Sequence, residues 1–198
     1  MKDTFLPDNY EVPSASGKYY RLQQGSNQFR VLASPILGNE YWSHEGKPVR
    51  KRTGENIVVD DIRPEKDGSV GKVKHFWAMP VWDGVEVKVF EITQKQIQTA
   101  IKDLVKDEDW SDPKNYDIVI NREGEGLETK YSVKPKIHKE LSKEAIAGWE
   151  STKKNGFDLD ALYNAGDPFN PSATPKVAEE VFENNPEEID LNGLDFGK

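Results

Sequence analysis

Apolar and polar residues alternate from Gln28 to Ser34, with Phe29, Val31 and Ala33 set against Arg30, Leu32 and Ser34. This alternation predicts a strand with one strongly apolar face. After a bend at Pro35, residues 36–42 continue as a second strand. Residues 44–72 are polar, carry Glu45-Gly46 and Asp67-Gly68 turns, and are expected to form an elaborated loop. His75 to Trp82 is rich in aromatics, and Pro80 implies an edge or a bulge there. Asp83-Gly84 precedes Val85, Val87 and Val89, the pattern of a type I′ hairpin. Thr93 with Gln96 three residues later makes a capping box for a helix through Ile97, Ile101, Leu104 and Val105. Two further strands, Tyr116 to Arg122 and Leu127 to Lys134, meet around Gly124-Glu125-Gly126.

With 28–34 and 36–42 counted as one strand bent at Pro35, the order is three strands, a helix and two strands. It matches the five-stranded Greek-key barrel called the OB-fold, whose helix lies between strands three and four. The expected class is therefore all-β with one main helix, a barrel with a long insertion loop. A mixed sheet with one packing helix is the competing architecture, and strand order alone does not separate the two. Residues 1–17, with Pro7, Pro13 and Gly17, read as an irregular leader, and 18–138 as the core. Residues 139–163 read as a short helical extension with Leu141, Ala145 and Trp149 at helical spacing. Residues 164–198 read as a flexible linker, with Pro168, Pro171 and Pro175, and an acidic tail.

The chain has 198 residues, 35% of them hydrophobic and 31% charged, enough for one modest core, and its mean hydropathy is low. No run of ~18 apolar residues exists, so no membrane span is expected. Met1 to Phe5 lacks the basic-then-apolar layout of a secretory signal. The expected setting is cytoplasmic, the host-cell cytoplasm if the chain is phage-encoded. With no cysteine, disulfides, thiolate catalysis and the common zinc-finger spacings disappear together.

The net charge of −8 would by itself oppose a nucleic-acid partner. Its distribution points the other way. Residues 143–198 carry 5 basic and 12 acidic side chains, whereas residues 1–142 carry 22 and 23. Within 18–75 the balance is 11 basic to 7 acidic, including the run Arg50-Lys51-Arg52. A near-neutral body with a basic stretch is followed by an acidic end.

The case for an enzyme is poor, and no catalytic, cofactor or metal-binding residue is assigned. Asp60-Asp61 and Asp107-Glu108-Asp109 sit in turn-like contexts, and neither has a histidine at ligand spacing. His44, His75 and His138 are scattered. Phosphate-binding loops, nucleophile elbows and dinucleotide fingerprints are absent. A metal-dependent nuclease ranks last among the readings.

The rings are more telling. Tyr41, Trp42, Phe76, Trp77 and Trp82 fall on predicted strands, and Arg30, Arg50, Lys51, Arg52, Lys72, Lys74, Arg122 and Lys130 accompany them. If Phe29 and Val31 face the core, Arg30 projects from the opposite face. Likewise either Phe76 and Trp82 or Trp77 is expected outside the core. Each ring taken alone is more often core than platform. Rings and cations together on a sheet are how single strands are gripped, bases stacking for ~1–3 kcal/mol each while cations hold phosphates. The alternative is an adaptor that uses the barrel to bind a protein or oligosaccharide.

Leu22-Gln23-Gln24-Gly25-Ser26-Asn27-Gln28-Phe29-Arg30-Val31-Leu32 resembles the opening strand of phage single-stranded-DNA-binding proteins. Lys74-His75-Phe76-Trp77-Ala78-Met79 with Phe90-Glu91-Ile92-Thr93-Gln94-Lys95 is similar to their central block. So is Tyr116-Asp117-Ile118 leading into Arg122-Glu123-Gly124-Glu125-Gly126. The resemblance covers roughly residues 18–138. The family is related in plan to the helix-destabilising proteins of T-even phages. It implies an OB-fold core, sequence-tolerant binding of single-stranded DNA or RNA, a role in phage replication, recombination and repair, and an acidic C-terminal tail. Zinc is not carried over, since its cysteine ligands are missing, and no basic amino-terminal arm is present. The tail does not end in a bare aromatic. Within it, Phe182, Ile189, Leu191, Leu194 and Phe196 would dock replication or recombination proteins, while its carboxylates compete for the DNA groove.

Overall fold

The computed structural model describes residues 17–172. Seven antiparallel strands form one sheet that does not close: β1 (Gly25–Val31), β2 (Ile36–Trp42), β3 (Pro48–Arg52), β4 (Lys74–Trp82), β5 (Val87–Ile92), β6 (Tyr116–Glu123) and β7 (Lys130–His138). Their order is β3-β2-β4-β1-β6-β7, with β5 on the other edge of β4. Helix α1 (Lys95–Lys106) follows β5, and α2 (Lys143–Lys154) follows β7. Among the described residues no helix is long and apolar enough to cross a membrane.

β4 organises the sheet because both of its faces are apolar. Met79 and Val81 join Phe29, Val31, Phe90, Ile92, Ile118 and Ile120 in the main core, on what we term the inner face. Phe76 and Ala78 point the other way, into a second cluster with Val89 and Leu162. One edge of β4 pairs first with β2 (Ile36↔Ala78) and then with β1 (Val31↔Val81), so residues 32–35 are a bend between two segments lying along one neighbour. Pro80 is placed at this bend. Its missing N–H therefore breaks no ladder, although β4 is an interior strand and not the edge that the proline suggests. Beside it, Leu32 N–H donates to the Pro80 carbonyl at 3.0 Å.

Three local expectations are corrected. The polar stretch 44–72 is not all loop: β3 lies within it, paired with β2 from Gly38↔Arg52 to Trp42↔Pro48. Pro-Val-Arg-Lys-Arg has little apolar alternation, and pairing with β2 decides its state. The β4–β5 connection is a four-residue loop, since Trp82 pairs with Val87. Asp83 shapes it by accepting from the N–H groups of Val85 and Glu86, both at 2.8 Å, and Val85 is 82% exposed. The capping box is absent, because Gln94 is the N-cap and makes no side-chain cap bond. Residue 98 is recruited instead: buried Gln98 donates to the Ile92 carbonyl at 2.8 Å and to the His75 carbonyl at 3.0 Å.

β5 and β7 do not pair. α1 packs against β7 and sends Ile97 and Ile101 into the main core, closing that seam with side chains. The free edge of β5 is covered by residues 18–20, through Val89 N–H to Lys18 O and Tyr20 N–H to Val89 O, each 2.8 Å.

Residues 139–172 form a second layer on the outer face. Ser142 caps α2 through Ala145 N–H at 3.2 Å, and a 3-10 segment, Leu159–Asn164, supplies Leu162. The linker composition of 164–172 does not leave that stretch unpacked. Pro168 is buried, its carbonyl accepts from Asp158 N–H at 2.9 Å, and Phe169 packs edge-on to Phe157 at 5.0 Å.

Candidate nucleic-acid interface

Strand alternation splits the basic run on β3. Lys51 stands opposite Asn39 of β2, which stands opposite His75 of β4, so these three share the inner face. Arg50 and Arg52 point to the outer face, in the rows Arg50–Glu40–Lys74 and Arg52–Gly38–Phe76.

Four of the candidate residues are interior, which corrects their assignment as surface contacts. Arg30, 4% exposed, does project away from the core side of β1. It is covered there, pairing with Asp117 at 2.7 Å and donating to the Lys139 carbonyl at 2.8 Å. Arg50, 8% exposed, bridges Glu40 at 2.9 Å and Glu91 at 3.0 Å. A guanidinium buried between two carboxylates is already charge-compensated and sits beneath the surface that a phosphate could reach. Phe76 is 1% exposed and meets Tyr163 edge-on at 6.1 Å. Tyr41 is 3% exposed, beside the loop that bridges Ser43 to Ile62, and burial pushes its phenol up.

The outer face is also occupied around Trp82 and Arg52. Trp82 is half-buried, and the backbone of α2 lies against its ring at Gly148. Arg52 is exposed but pairs with Asp160 at 3.1 Å and lies over the Tyr163 ring. Trp42 is half-buried at the end of β2, and its carbonyl accepts from Arg63 N–H at 2.7 Å.

The remaining candidates gather at the start of α1. Trp77 is half-buried at the margin of the main core, opposite Leu37, which is 42% exposed. Its indole Nε1–H donates to His75 Nε2 at 3.1 Å. Lys72 and Lys74 are exposed at the entry to β4, and Lys130 is exposed at the start of β7. Arg122 pairs in register with Tyr131, donates to the Leu22 carbonyl at 3.1 Å, and has an enclosed Nε with no protein partner.

The first turn of α1 ties these two regions together. Gln98 holds the His75 carbonyl, and Gln96 Oε1, two residues earlier, accepts from Tyr131 N–H at 3.3 Å. Cations from the β2–β4 region and from the β6–β7 hairpin therefore border the same helix end. Exposed Lys95 belongs to that end, and no acid stands in the first turn. Asn39, His75, Leu37, Lys95 and Tyr131 join the site without having been singled out for it from the sequence. The signal for two of them was the β2–β3 hairpin, since pairing Lys51 with Asn39 leads directly to His75.

Asp60-Asp61 and Asp107-Glu108-Asp109 are exposed, and His44 Nε2 contacts the Asp60 carbonyl at 2.9 Å. Among the described residues no group of three His, Asp or Glu side chains is placed to hold a metal ion. Phe182, Ile189, Leu191, Leu194 and Phe196 lie outside the described residues. No family model, no curated protein and no solved structure matches the chain.

Proposed function

We propose that this protein binds single-stranded nucleic acid without sequence preference, on the inner face of the β3-β2-β4 ribbon where it meets the start of α1. The observation that carries this reading is the convergence at that helix end. Lys51 and His75 lie on one side, with Lys72 at the entry to β4, and Arg122 lies on the other, with the Trp77 ring between solvent and core; by register Lys74 and Lys130 flank the site from the outer face. Trp77 and Leu37 offer bases a flat apolar surface, and the cations follow the backbone. Over β3, β4 and β5 the outer face is taken by residues 139–172, so there the proposed binding path uses the inner face.

The fold reading is that of an open OB-type barrel. In its support, β1 pairs with both β4 and β6, β4 pairs with β5, and β6 pairs with β7. A helix lies between the third and fourth of these core strands, and β2–β3 is an insertion after β1. The biological role proposed is protection of single-stranded DNA during phage replication and recombination. The acidic residues after 172 compete for the cationic face and recruit replication proteins.

The test is a titration of tryptophan emission with oligo-thymidine at three salt concentrations. Quenching is expected, with log K falling against log[salt] by ~0.7 per phosphate contacted. Absence of quenching at low salt overturns the reading, and binding that ignores salt favours a protein or oligosaccharide ligand. Removing residues 177–198 is expected to tighten binding and flatten its salt dependence.

A further inference from the structure

His75 and Trp77 lie two residues apart on the inner face of β4, and the indole Nε1–H donates to His75 Nε2 at 3.1 Å. Nε2 accepts this bond while it carries no proton, which places the imidazole proton on Nδ1. Once both ring nitrogens are protonated, each is a donor and the contact becomes repulsive. We propose that His75 is the positioning residue for Trp77: neutral, it holds the indole edge and sets the ring plane, and protonated, it releases the ring and adds a cation beside it. This rests on the proposed binding face and adds a regulation to it.

The surroundings favour a solvent-coupled switch. His75 is exposed, and its neighbour across β2 is uncharged Asn39, with Lys51 beyond on β3. From α1, the Gln98 amide takes the His75 carbonyl, and Lys95 starts the same helix. On β4 itself Lys74 stands next to His75 and points to the outer face, opposite Glu40. An imidazole changes charge between about pH 5 and 8. A phosphate backbone gains a partner as pH falls through that range.

Two readouts separate failure of this device from failure of the binding reading. The first uses free protein: intrinsic fluorescence is followed from about pH 8 to 5 in wild type, His75→Gln and Trp77→Phe. A transition present in wild type and missing from both variants is expected. The Trp110–His138 pair, with ring centroids 5.6 Å apart, is unchanged in both variants, so its contribution is common to all three curves and is subtracted from the comparison. Identical curves in all three proteins overturn the proposal, whatever the nucleic-acid result.

The second readout is oligo-thymidine affinity over the same range. Wild type is expected to bind roughly two- to fivefold tighter at the acid end, the worth of one exposed ion pair. His75→Gln retains an acceptor for the indole and is expected to lose the pH response, its affinity staying constant from the neutral to the acid end. His75→Ala, which has no acceptor, is expected to bind more weakly than His75→Gln at pH 8. Equal pH responses in wild type and His75→Gln overturn the regulatory role.

Discussion

The Arg52 guanidinium lies 4.2 Å from the centroid of the Tyr163 ring, while Lys51, one residue earlier, faces the opposite side of the sheet. Two adjacent cations in one sequence run therefore have different environments. One is held by the second layer, and the other borders the open face.

That difference gives the most direct test of which face binds. Lys51→Glu is expected to weaken oligonucleotide binding and reduce the salt slope by ~0.7–1.4, because a phosphate there meets a carboxylate in place of its cation. Arg52→Glu is expected to leave both near wild type. Equal losses in the two variants, measured by salt-dependent anisotropy, would place nucleic acid on both faces.

Trp77→Ala is expected to lower affinity by about 1–3 kcal/mol, the worth of one stacked base, and to remove much of the fluorescence quenching. Trp82→Phe keeps an aromatic ring beneath α2 and is expected to bind normally. Loss of quenching in Trp82→Phe, with quenching retained in Trp77→Ala, would reverse the assignment.

Arg50 sits between two carboxylates, and Glu91 Oε1 is enclosed without a partner. Arg50→Ala leaves both acids uncompensated and is expected to cost about 3–5 kcal/mol in urea unfolding. Burial pushes the Glu91 carboxyl up, Arg50 opposing that shift and Glu40 adding to it. The folded state thus keeps this proton at a pH where the unfolded chain has released it. The stability associated with Glu91 is full below the unfolded value of about 4.3 and falls as pH rises toward the folded one. Glu91→Gln cannot ionise, so its stability relative to wild type is expected to improve as pH rises above about 4.3. A constant difference between the two proteins would show that the carboxyl is not raised.

Gly38 is required by close approach. A Cβ there would collide with the Lys51 carbonyl oxygen and lie 2.8 Å from Cε1 of Phe76. Since the first obstacle is backbone, Gly38→Ala is expected to destabilise by about 1–3 kcal/mol or more, visible as a lower unfolding midpoint. Gly17→Ala, where nothing lies within 4 Å, is expected to leave the midpoint unchanged. Similar midpoints for both variants would mean that β2 and β3 separate easily.

Much of the β framework was legible along the chain. Phe29 and Val31 on β1, the aromatic block of β4 and the α1 stripe of Ile97 and Ile101 lie on the elements that their periodicity predicted, whereas the last strand starts at Lys130 and not at Leu127, which sits exposed in a 3-10 turn. β3 was not legible, because its five residues carry no apolar alternation to distinguish a strand from a polar loop. The fates of Arg30 and Phe76 were hidden for another reason. Alternation placed Arg30 away from the main core and left the side of Phe76 open, and Lys114, Lys139 and residues 159–169, distant in sequence, cover the two on the outer face.

The amino-acid order determined the strand periods, the helix stripe and the mixture of rings and cations available for binding, because each depends on neighbours within a few residues. Tertiary structure decided which members of that mixture face solvent. A strand fixes the side to which a residue points, but only distant segments decide whether that side is covered. Thus Arg50 and Arg52 were drawn into ion pairs on the outer face, whereas Lys51 shares the inner face with His75 and Trp77 beside the start of α1.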